Sequence, residues 1–242
     1  MVLCIGDVHG WLDRLETVLA ADEGPYVFVG DLVDRGADSA GVVARVRRLV
    51  AAGRAHCVLG NHEYAMVRAL GCPERGIHPV PRLLETWLYG YGGLTTLASY
   101  GLDCELPLAE LRAGIGDDLC WLADLPALQR LSVVAEGGRW QLLVVHAGLQ
   151  ASAWEPQVRA LEDPARPWWY DSFGHPLWLY DKGLVPVVPP DLPVDHLVVS
   201  GHTPQPAAYI AAGRLVCDTS GGQPGRRLSA VHWPSARVFT SG

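Results

Sequence analysis

Five times along this chain, a short apolar run stops at polar residues of the kinds that bind metal ions. In the first case the run Val2–Ile5 stops at Gly6 and is followed by Asp7 and His9. Short, β-branched runs are typical of buried strands. Because alternate side chains of an extended backbone point the same way, an Asp and a His two residues apart can reach one divalent cation. This pairing of a strand with a polar turn constrains both the fold and the chemistry.

The order of strand, polar turn and helix recurs twice in the first third of the chain. A run from Tyr26 to Val29 is followed by Asp31, and a run from Ala55 to Leu59 is followed by Asn61 and His62. After each turn, apolar residues recur at helical spacing. This alternation predicts βαβ units, in which ligands gather at the carboxyl ends of the strands.

Two more histidines end apolar runs in the second half of the chain. His146 follows a run from Trp140 to Val145, and His202 follows a run from His196 to Val199. The earlier of these runs is predicted to form a hairpin with Leu131 to Ala135 through Gly137-Gly138, since paired glycines favour tight turns. Further strands are predicted at Leu215 to Cys217, Arg227 to His232 and Arg237 to Thr240.

Composition limits the classes of protein to which the chain can belong. Its 242 residues are enough to bury a substantial core, and a formal charge of −7 argues against a dedicated nucleic-acid binder. No apolar run approaches the ~18 residues of a membrane span, so we expect no membrane partner. The six cysteines include no Cys-x-x-Cys pair, which predicts reduced core thiols in a cytoplasmic protein.

The polar residues at the strand ends should lie along one edge of the fold. They are Asp7 and His9, Asp31, Asn61 and His62, His146, and His202. Oxygen and imidazole ligands without thiolates suit Mn, Fe or Zn, and a set of this size is too large for one tetrahedral ion. It fits two divalent ions ~3.5 to 4 Å apart that share a bridging carboxylate, an arrangement used for displacement at phosphorus.

In their order, the five motifs resemble the signature of the phosphoprotein phosphatase branch of the calcineurin-like metallophosphoesterases, including its bacterial and phage members. The motifs are Gly6-Asp-Val-His-Gly10, Gly30-Asp-Leu-Val-Asp-Arg-Gly36, Gly60-Asn-His-Glu63, His146-Ala-Gly148 and Gly201-His-Thr-Pro204. The resemblance implies an α/β fold, a four-layer sandwich of two mixed β-sheets flanked by helices. It also implies a single catalytic domain over residues 1–242, in which residues 71–125 form a helical and loop-rich cap.

The resemblance further implies a dinuclear centre, with Mn²⁺ as the expected metal and Fe or Zn as alternatives. It assigns the first metal to Asp7, His9 and Asp31, and the second to the bridging Asp31 with Asn61, His146 and His202. A hydroxide that bridges the two ions would attack phosphorus directly, without a covalent phosphoenzyme. Outside this context Asn61 has a second interpretation, as the N-cap of the following helix.

Three more residues receive catalytic or substrate-binding roles from the resemblance. His62 would contact the substrate and protonate the leaving oxygen as a general acid. Asp34 would accept its other N–H and favour the imidazolium form, because an adjacent anion raises the pKa of a histidine. Arg35, together with Asn61 and His62, would bind the phosphate oxygens, Arg35 acting as a charged fork.

One position departs from the family pattern. Tyr180, two residues after Trp178, stands where members of the family usually carry a second phosphate-binding arginine. We assign Tyr180 to substrate binding, and Lys182 or Arg166 can supply the missing charge from nearby. Tryptophans surround this position, and they either pack in the core or line a groove for a peptide or a nucleobase. They are Trp154, Trp168, Trp169 and Trp178.

Three functions are compatible with these motifs. The preferred one is a serine/threonine protein phosphatase, with phosphotyrosine as a further substrate, because the sequence retains Asp34 before Arg35. The second is a diadenosine tetraphosphatase-like hydrolase of dinucleoside polyphosphates, since such enzymes often lack the aspartate at the position of Asp34. The third is a scaffold of the same fold without metal or catalysis. The expected partner is therefore a phosphorylated protein or peptide, with a nucleotide as the alternative.

Overall fold

Ten strands are arranged in two sheets of five, in a computed structural model that describes residues 1–135, 138–163 and 176–242. The strands are β1 (Val2–Ile5), β2 (Tyr26–Phe28), β3 (Ala55–Cys57), β4 (Leu128–Ala135), β5 (Gly138–Val145), β6 (His196–Ser200), β7 (Tyr209–Ala211), β8 (Arg214–Val216), β9 (Ser229–Trp233) and β10 (Val238–Thr240).

The first sheet has the strand order β10-β9-β1-β2-β3. Its strands β1, β2 and β3 are parallel, with Leu3 opposite Tyr26 and Tyr26 opposite Ala55. Strand β9 runs antiparallel to β1, and β10 runs antiparallel to β9. The βαβ units predicted from the alternation of motifs are therefore confirmed. The parallel register places the polar turns after β1, β2 and β3 at one edge of the sheet.

The second sheet has the strand order β4-β5-β6-β8-β7. Strands β4 and β5 pair antiparallel as predicted, up to Ala135 opposite Gly138, while residues 136–137 of the predicted hairpin turn lie outside the described residues. Strands β5, β6 and β8 are parallel. The short edge strand β7, which pairs with β8, has no counterpart among the predicted strands because its three residues are only half-buried or exposed.

Helices lie between the strands of the first sheet and after them. They are α1 (Leu12–Leu19), α2 (Ser39–Ala51), α3 (Asn61–Leu70), α4 (Pro81–Glu85), α5 (Gly93–Ser99), α6 (Leu108–Ile115), α7 (Asp117–Ala123), α8 (Trp154–Glu162) and α9 (Leu177–Tyr180). Short 3₁₀ turns at Pro73–Arg75 and Lys182–Leu184 and a π-helical turn at Thr86–Tyr91 complete the described elements.

Three apolar cores separate four layers. Residues such as Cys4 and Val27 of the first sheet pack against Leu142 and Val199 of the second sheet. A larger core lies between the first sheet and its helices, and a third core joins the second sheet to Val158 of α8. The predicted fold, two mixed sheets packed together with helices outside, is confirmed.

The helices of residues 71–125 pack on α2 and α3 and share the larger core. Trp87, in the π-helical turn, is fully buried there. This segment therefore contributes side chains to the same core as the first sheet, and Trp87 brings it to the edge where the polar turns lie.

All six cysteines are free thiols, as predicted. Within the described ranges, none of the helices is both long and apolar enough to cross a membrane. Trp154 and Trp178 pack at the edges of the cores, which agrees with a packing role, whereas Trp168, Trp169 and Arg166 lie outside the described residues.

Candidate metal centre

The six candidate ligands meet where the carboxyl ends of strands from both sheets converge. Five of them are buried, and His202 is half-buried. The turns after β1, β2 and β3 supply four of them, and the turns after β5 and β6 supply the two histidines of the second sheet. Asn61 is the first residue of α3, whose N-cap is Gly60, so the alternative interpretation of Asn61 as the cap is wrong.

The first cluster is formed by Asp7, His9 and Asp31. The Nδ1 of His9 bonds to the carbonyl oxygen of Val33 at 3.0 Å, which leaves Nε2 facing the Oδ2 of Asp31 at 3.4 Å. The Asp7 carboxylate accepts the backbone N–H of His202 at 3.1 Å. Burial, and then the nearby carboxylates of Asp218 and Asp31, raise the pKa of Asp7. Cations placed between these carboxylates would relieve that repulsion.

The second cluster contains Asn61, His146 and His202. The Nδ1 of His146 bonds to the carbonyl oxygen of Val29 at 2.7 Å, and its Nε2 lies 2.9 Å from the Oδ1 of Asn61. His202 is held the other way round: its Nε2 bonds to the carbonyl oxygen of Tyr180 at 3.2 Å, and its Nδ1 lies 2.9 Å from the same Asn61 oxygen. Two imidazole lone pairs and an amide oxygen thus converge on one point.

Asp31 lies between the two clusters. Its Oδ2 faces His9, and its Oδ1 lies 3.4 Å from the Nε2 of His146. Burial opposes the carboxylate form, but the neighbouring His146 and His62 outweigh it and hold the pKa of Asp31 well below its usual value. Each of the three candidate ligand histidines hydrogen-bonds a backbone carbonyl oxygen through one ring nitrogen and points the other ring nitrogen at the centre, as metal-ligating histidines do. The donor set therefore fits two divalent cations that share Asp31.

The backbone of this centre is locally strained. Among the described residues, six non-glycine residues have positive φ, and five of them are site residues. The five are His9 at 49°, Asp31 at 52°, Asp34 at 72°, Arg35 at 69° and His202 at 67°. Such conformations are uncommon outside glycine and persist only where the surroundings impose them. The surrounding structure therefore imposes the backbone conformation that directs these side chains towards the candidate centre.

His62 stands beside the first cluster and is paired with Asp34. Its Nδ1 lies 2.7 Å from the Oδ2 of Asp34, as the family pattern predicts. The other contacts of that carboxylate come from the Nε1–H of Trp87 at 3.1 Å and the hydroxyl of Thr96 at 2.6 Å. Asp34 is fully buried, so it is part of the site and not a solvated turn residue.

The predicted imidazolium form of His62 is not what the surroundings favour. Burial, together with Arg35 and His146, lowers the pKa of His62 to about 3, although Asp31 opposes this. Burial also raises the pKa of Asp34 well above its usual value. In these surroundings desolvation outweighs the attraction of the Asp31 carboxylate, and the role of Asp34 in protonating His62 stays a prediction. What Asp34 fixes is the orientation of the ring.

Arg35 reaches across the candidate centre. One guanidinium nitrogen lies 3.0 Å from the Nε2 of His9, and the other lies 3.0 Å from the Nε2 of His62. Arg35 also donates to the carbonyl oxygen of Gly221, which belongs to the loop after β8. The guanidinium is thus placed between His9 of the first cluster and His62, where a fork of N–H donors can bind phosphate oxygens.

Tyr180 occupies its predicted place near the centre but makes different contacts. Its carbonyl oxygen accepts from His202, and its hydroxyl lies 3.5 Å from the carbonyl oxygen of Asn61. These contacts position two candidate ligands. Lys182 is exposed on the next turn, so among the described residues it does not replace the expected second arginine with a buried charge, and Arg166 lies outside those residues.

Sequence reasoning missed Glu63 as a member of the site. Its buried carboxylate accepts four backbone N–H groups, from Asp31 at 2.9 Å, Leu32 at 2.7 Å, Val33 at 3.2 Å and Gly60 at 2.9 Å. It thereby shapes the turn that carries Asp31. The sequence did contain a signal, because a glutamate three residues after the N-cap position of a helix is typical of a capping box.

We expect Glu63→Gln to lower the free energy of unfolding by ~2 to 4 kcal/mol, because an amide cannot accept all four buried N–H groups. Chemical denaturation measures this loss. The control Glu155→Gln changes an exposed glutamate that pairs with Arg159 on α8, and it should cost less than ~1 kcal/mol. Equal, small losses in both variants would contradict the structural role of Glu63.

Comparison with known proteins agrees with this geometry. The family described as "Calcineurin-like phosphoesterase" matches residues 1–217. A symmetrical bis(5'-nucleosyl)-tetraphosphatase of Ralstonia nicotianae is 48% identical over 75 residues, which cover 28% of this chain and 26% of that protein. The matches to curated relatives span about a quarter of each relative's length.

Solved structures match over nearly the whole chain. A candidate diadenosine tetraphosphatase has a TM-score of 0.53 and 24% identity, with 99% of this chain and 91% of that chain covered. A protein serine/threonine phosphatase of Saccharomyces cerevisiae has a TM-score of 0.53 and 14% identity, with 99% and 78% covered. At these identities the likeness shows the fold. Since the family match covers most of the chain and the fold agrees, the chain belongs to the calcineurin-like phosphoesterase family.

Proposed function

We propose that this phosphoesterase hydrolyses dinucleoside polyphosphates with two divalent cations bound. The observation that carries the proposal is the 48% identity with a symmetrical bis(5'-nucleosyl)-tetraphosphatase, within a family match over residues 1–217. The sequence motifs alone favour a protein phosphatase, and the relatives reverse that preference. The substrate is then a nucleotide and not a phosphorylated protein or peptide.

Aromatic rings beside the centre support a nucleotide substrate. The ring of Tyr91 contacts His62 edge to face at 4.8 Å, and Tyr180 contacts Tyr64 at 6.1 Å. Tyr89, two residues before Tyr91, is exposed. Nucleobases stack on aromatic side chains with little dependence on sequence. An aromatic wall next to a cationic centre therefore suits a ligand that carries both bases and phosphates.

In this proposal the two cations are held by Asp7, His9 and Asp31 and by Asp31, Asn61, His146 and His202. We propose Mn²⁺, since oxygen and imidazole donors accept it as well as Fe or Zn. When bound, such ions lower the pKa of a coordinated water and neutralise the phosphate charge. The three ligand histidines are oriented for this by the carbonyl groups of Val29, Val33 and Tyr180.

The chain's own groups bind and orient the substrate. The Arg35 guanidinium, placed between His9 and His62, binds phosphate oxygens through paired N–H donors. The Nε2 of His62 is the proposed proton donor to the leaving oxygen, and Asp34 fixes the ring through its 2.7 Å contact with Nδ1. Since the site without substrate favours neutral His62, the proposed role as proton donor requires the negative charge of the bound phosphate to raise the pKa of His62.

A protein phosphatase is the second candidate, and one observation favours it. Asp34 is retained and fully engaged by His62, Trp87 and Thr96. A well-oriented acid matters most for a poor leaving group such as a serine alkoxide. This feature gives the second candidate a physical basis, although the relative matched by sequence above is a bis(5'-nucleosyl)-tetraphosphatase.

A substrate panel at equal Mn²⁺ tests the choice. We expect diadenosine tetraphosphate to be hydrolysed with a kcat/KM at least ~10-fold above those of phosphoserine, phosphothreonine and phosphotyrosine peptides, a preference of about 1.4 kcal/mol. Asp31→Asn is the control for contaminating phosphatases. A phosphopeptide turned over faster than the dinucleotide would overturn the proposal in favour of the second candidate. Hydrolysis of neither class would overturn both.

We further propose that residues 1–242 act as one catalytic domain, with residues 71–125 as its cap. Support comes from Trp87 and Thr96, which belong to that segment and bond to Asp34. Cytoplasmic localisation is proposed on the six free thiols, because reducing compartments preserve them. The charge of −7 supports the absence of a nucleic-acid partner.

A further inference from the structure

A second cluster of potential ligands lies away from the catalytic edge, at the far end of α3. Helix α3 ends at Leu70 with Gly71 as its C-cap, and the chain then turns back on itself between Cys72 and Ile77, which bond to each other through both backbone N–H groups. The 3₁₀ turn Pro73–Arg75 lies inside this loop. The loop places Cys72 and Glu74 on one side, opposite Cys120 of α7.

The three side chains form a close triangle. The sulfur atoms of Cys72 and Cys120 lie 3.3 Å apart, and the Oε2 of Glu74 lies 3.6 Å from the first and 3.8 Å from the second. In tetrahedral zinc geometry, two thiolates lie ~3.8 Å apart, and a thiolate and a carboxylate oxygen lie ~3.5 Å apart. The two edges that join a sulfur to the carboxylate oxygen lie within ~0.3 Å of one face of a tetrahedral cation site, whereas the edge between the sulfurs is ~0.5 Å shorter and would lengthen when an ion binds.

A neighbouring ion pair holds the triangle together. Arg75 donates to both oxygens of Asp124 at 2.5 and 2.6 Å, and so ties the loop to the end of α7. Cys120 is partly exposed and Glu74 is exposed, so an ion can enter from solvent.

We propose that Cys72, Glu74 and Cys120 form a binding site for a thiophilic divalent cation of the zinc class, separate from the catalytic ions. The Glu74 carboxylate faces both sulfurs and can serve such an ion as a third ligand. In a redox-active cysteine pair, the same negative charge would oppose formation of the thiolate. An ion that binds there displaces the thiol protons and joins α3 to α7.

Cadmium binding to the fully reduced protein tests this site, because a cadmium–thiolate bond absorbs in the ultraviolet and none of the six candidate catalytic ligands is a thiol. We expect one equivalent of Cd²⁺ to produce the charge-transfer band. The band should be lost in Cys120→Ser and retained in Cys104→Ser, a matched control at another partly exposed cysteine. Glu74→Gln should keep the band but weaken Cd²⁺ affinity at least ~10-fold.

Three results would overturn the proposal. One is the absence of a band in fully reduced wild-type protein. Another is a band of unchanged size in Cys120→Ser. The third is a Cys72–Cys120 disulfide in protein purified in air that, once reduced, takes up no Cd²⁺, since this would identify the pair as redox-active. The partly exposed Cys120 is chosen for substitution because Cys72 is fully buried and its replacement risks misfolding.

Discussion

Asp31→Asn is expected to reduce metal-dependent turnover by at least ~10³-fold, the scale of preorganised electrostatic stabilisation at a reacting centre. Asp31 is the one carboxylate shared by both clusters, with Oδ2 3.4 Å from the Nε2 of His9 and Oδ1 3.4 Å from that of His146. An amide has one oxygen and no charge, so it cannot bridge two cations. Initial rates at saturating Mn²⁺, with metal analysis of the dialysed protein, measure the loss and the ion content.

The matched control for this prediction is Asp117→Asn, at the start of α7. The Asp117 side chain is 91% exposed and makes only a long ion pair with Arg47 at 3.8 Å. The Asp117→Asn variant should retain activity and the full metal content. The bridging role is wrong if Asp31→Asn keeps both ions and more than a tenth of the wild-type rate.

His62→Asn is expected to keep both metals and to lose ~10² to 10⁴ in rate for esters with poor leaving groups, the usual contribution of a positioned acid. The loss with p-nitrophenyl phosphate should be much smaller, because that leaving group needs no proton. His62 contacts Asp34 through Nδ1 and Arg35 through Nε2, and although it lies close to His9 and Asp31, we propose it as an acid and not as a ligand. Comparing kcat for an alkyl phosphate and p-nitrophenyl phosphate gives the result.

His78→Asn is the control, since His78 is exposed after the Cys72 loop. It should leave both rates unchanged. Equal losses on the two esters in His62→Asn would remove the acid role and leave His62 with a binding role only. A loss of metal in the same variant would instead make it a ligand, contrary to the expectation.

The strand ends could be predicted from sequence because burial and chemistry change abruptly there. Each buried run stops at a polar turn, so the candidate ligands could be identified in the sequence. The predicted parallel strands indicated that these residues lie close together. The positive φ of His9, Asp31 and His202 could not be predicted. L-residues adopt that conformation only under tertiary constraint, and the constraint comes from contacts far apart in sequence.

The same limit applies to the groups that support the site. Thr96 and Trp87 reach Asp34 from more than fifty residues away, and Tyr180 reaches His202 through its backbone. No local pattern specifies such contacts. The lowered pKa of His62 could not be predicted from sequence for a related reason. The sequence shows the neighbouring Asp34 but not the depth of burial, and burial is the largest cause of the shift.

The candidate ligands come from both halves of the sandwich, and this has a thermodynamic consequence. Asp7, Asp31 and Asn61 follow the first sheet, whereas His146 and His202 follow the second. An ion whose ligands come from both sheets binds the packed sheets more tightly than it binds one sheet alone, so binding of that ion stabilises the contact between the sheets. The second cation, held by Asp31 and Asn61 from the first sheet and by His146 and His202 from the second, would join the two sheets, so a looser interface between the sheets would weaken its retention.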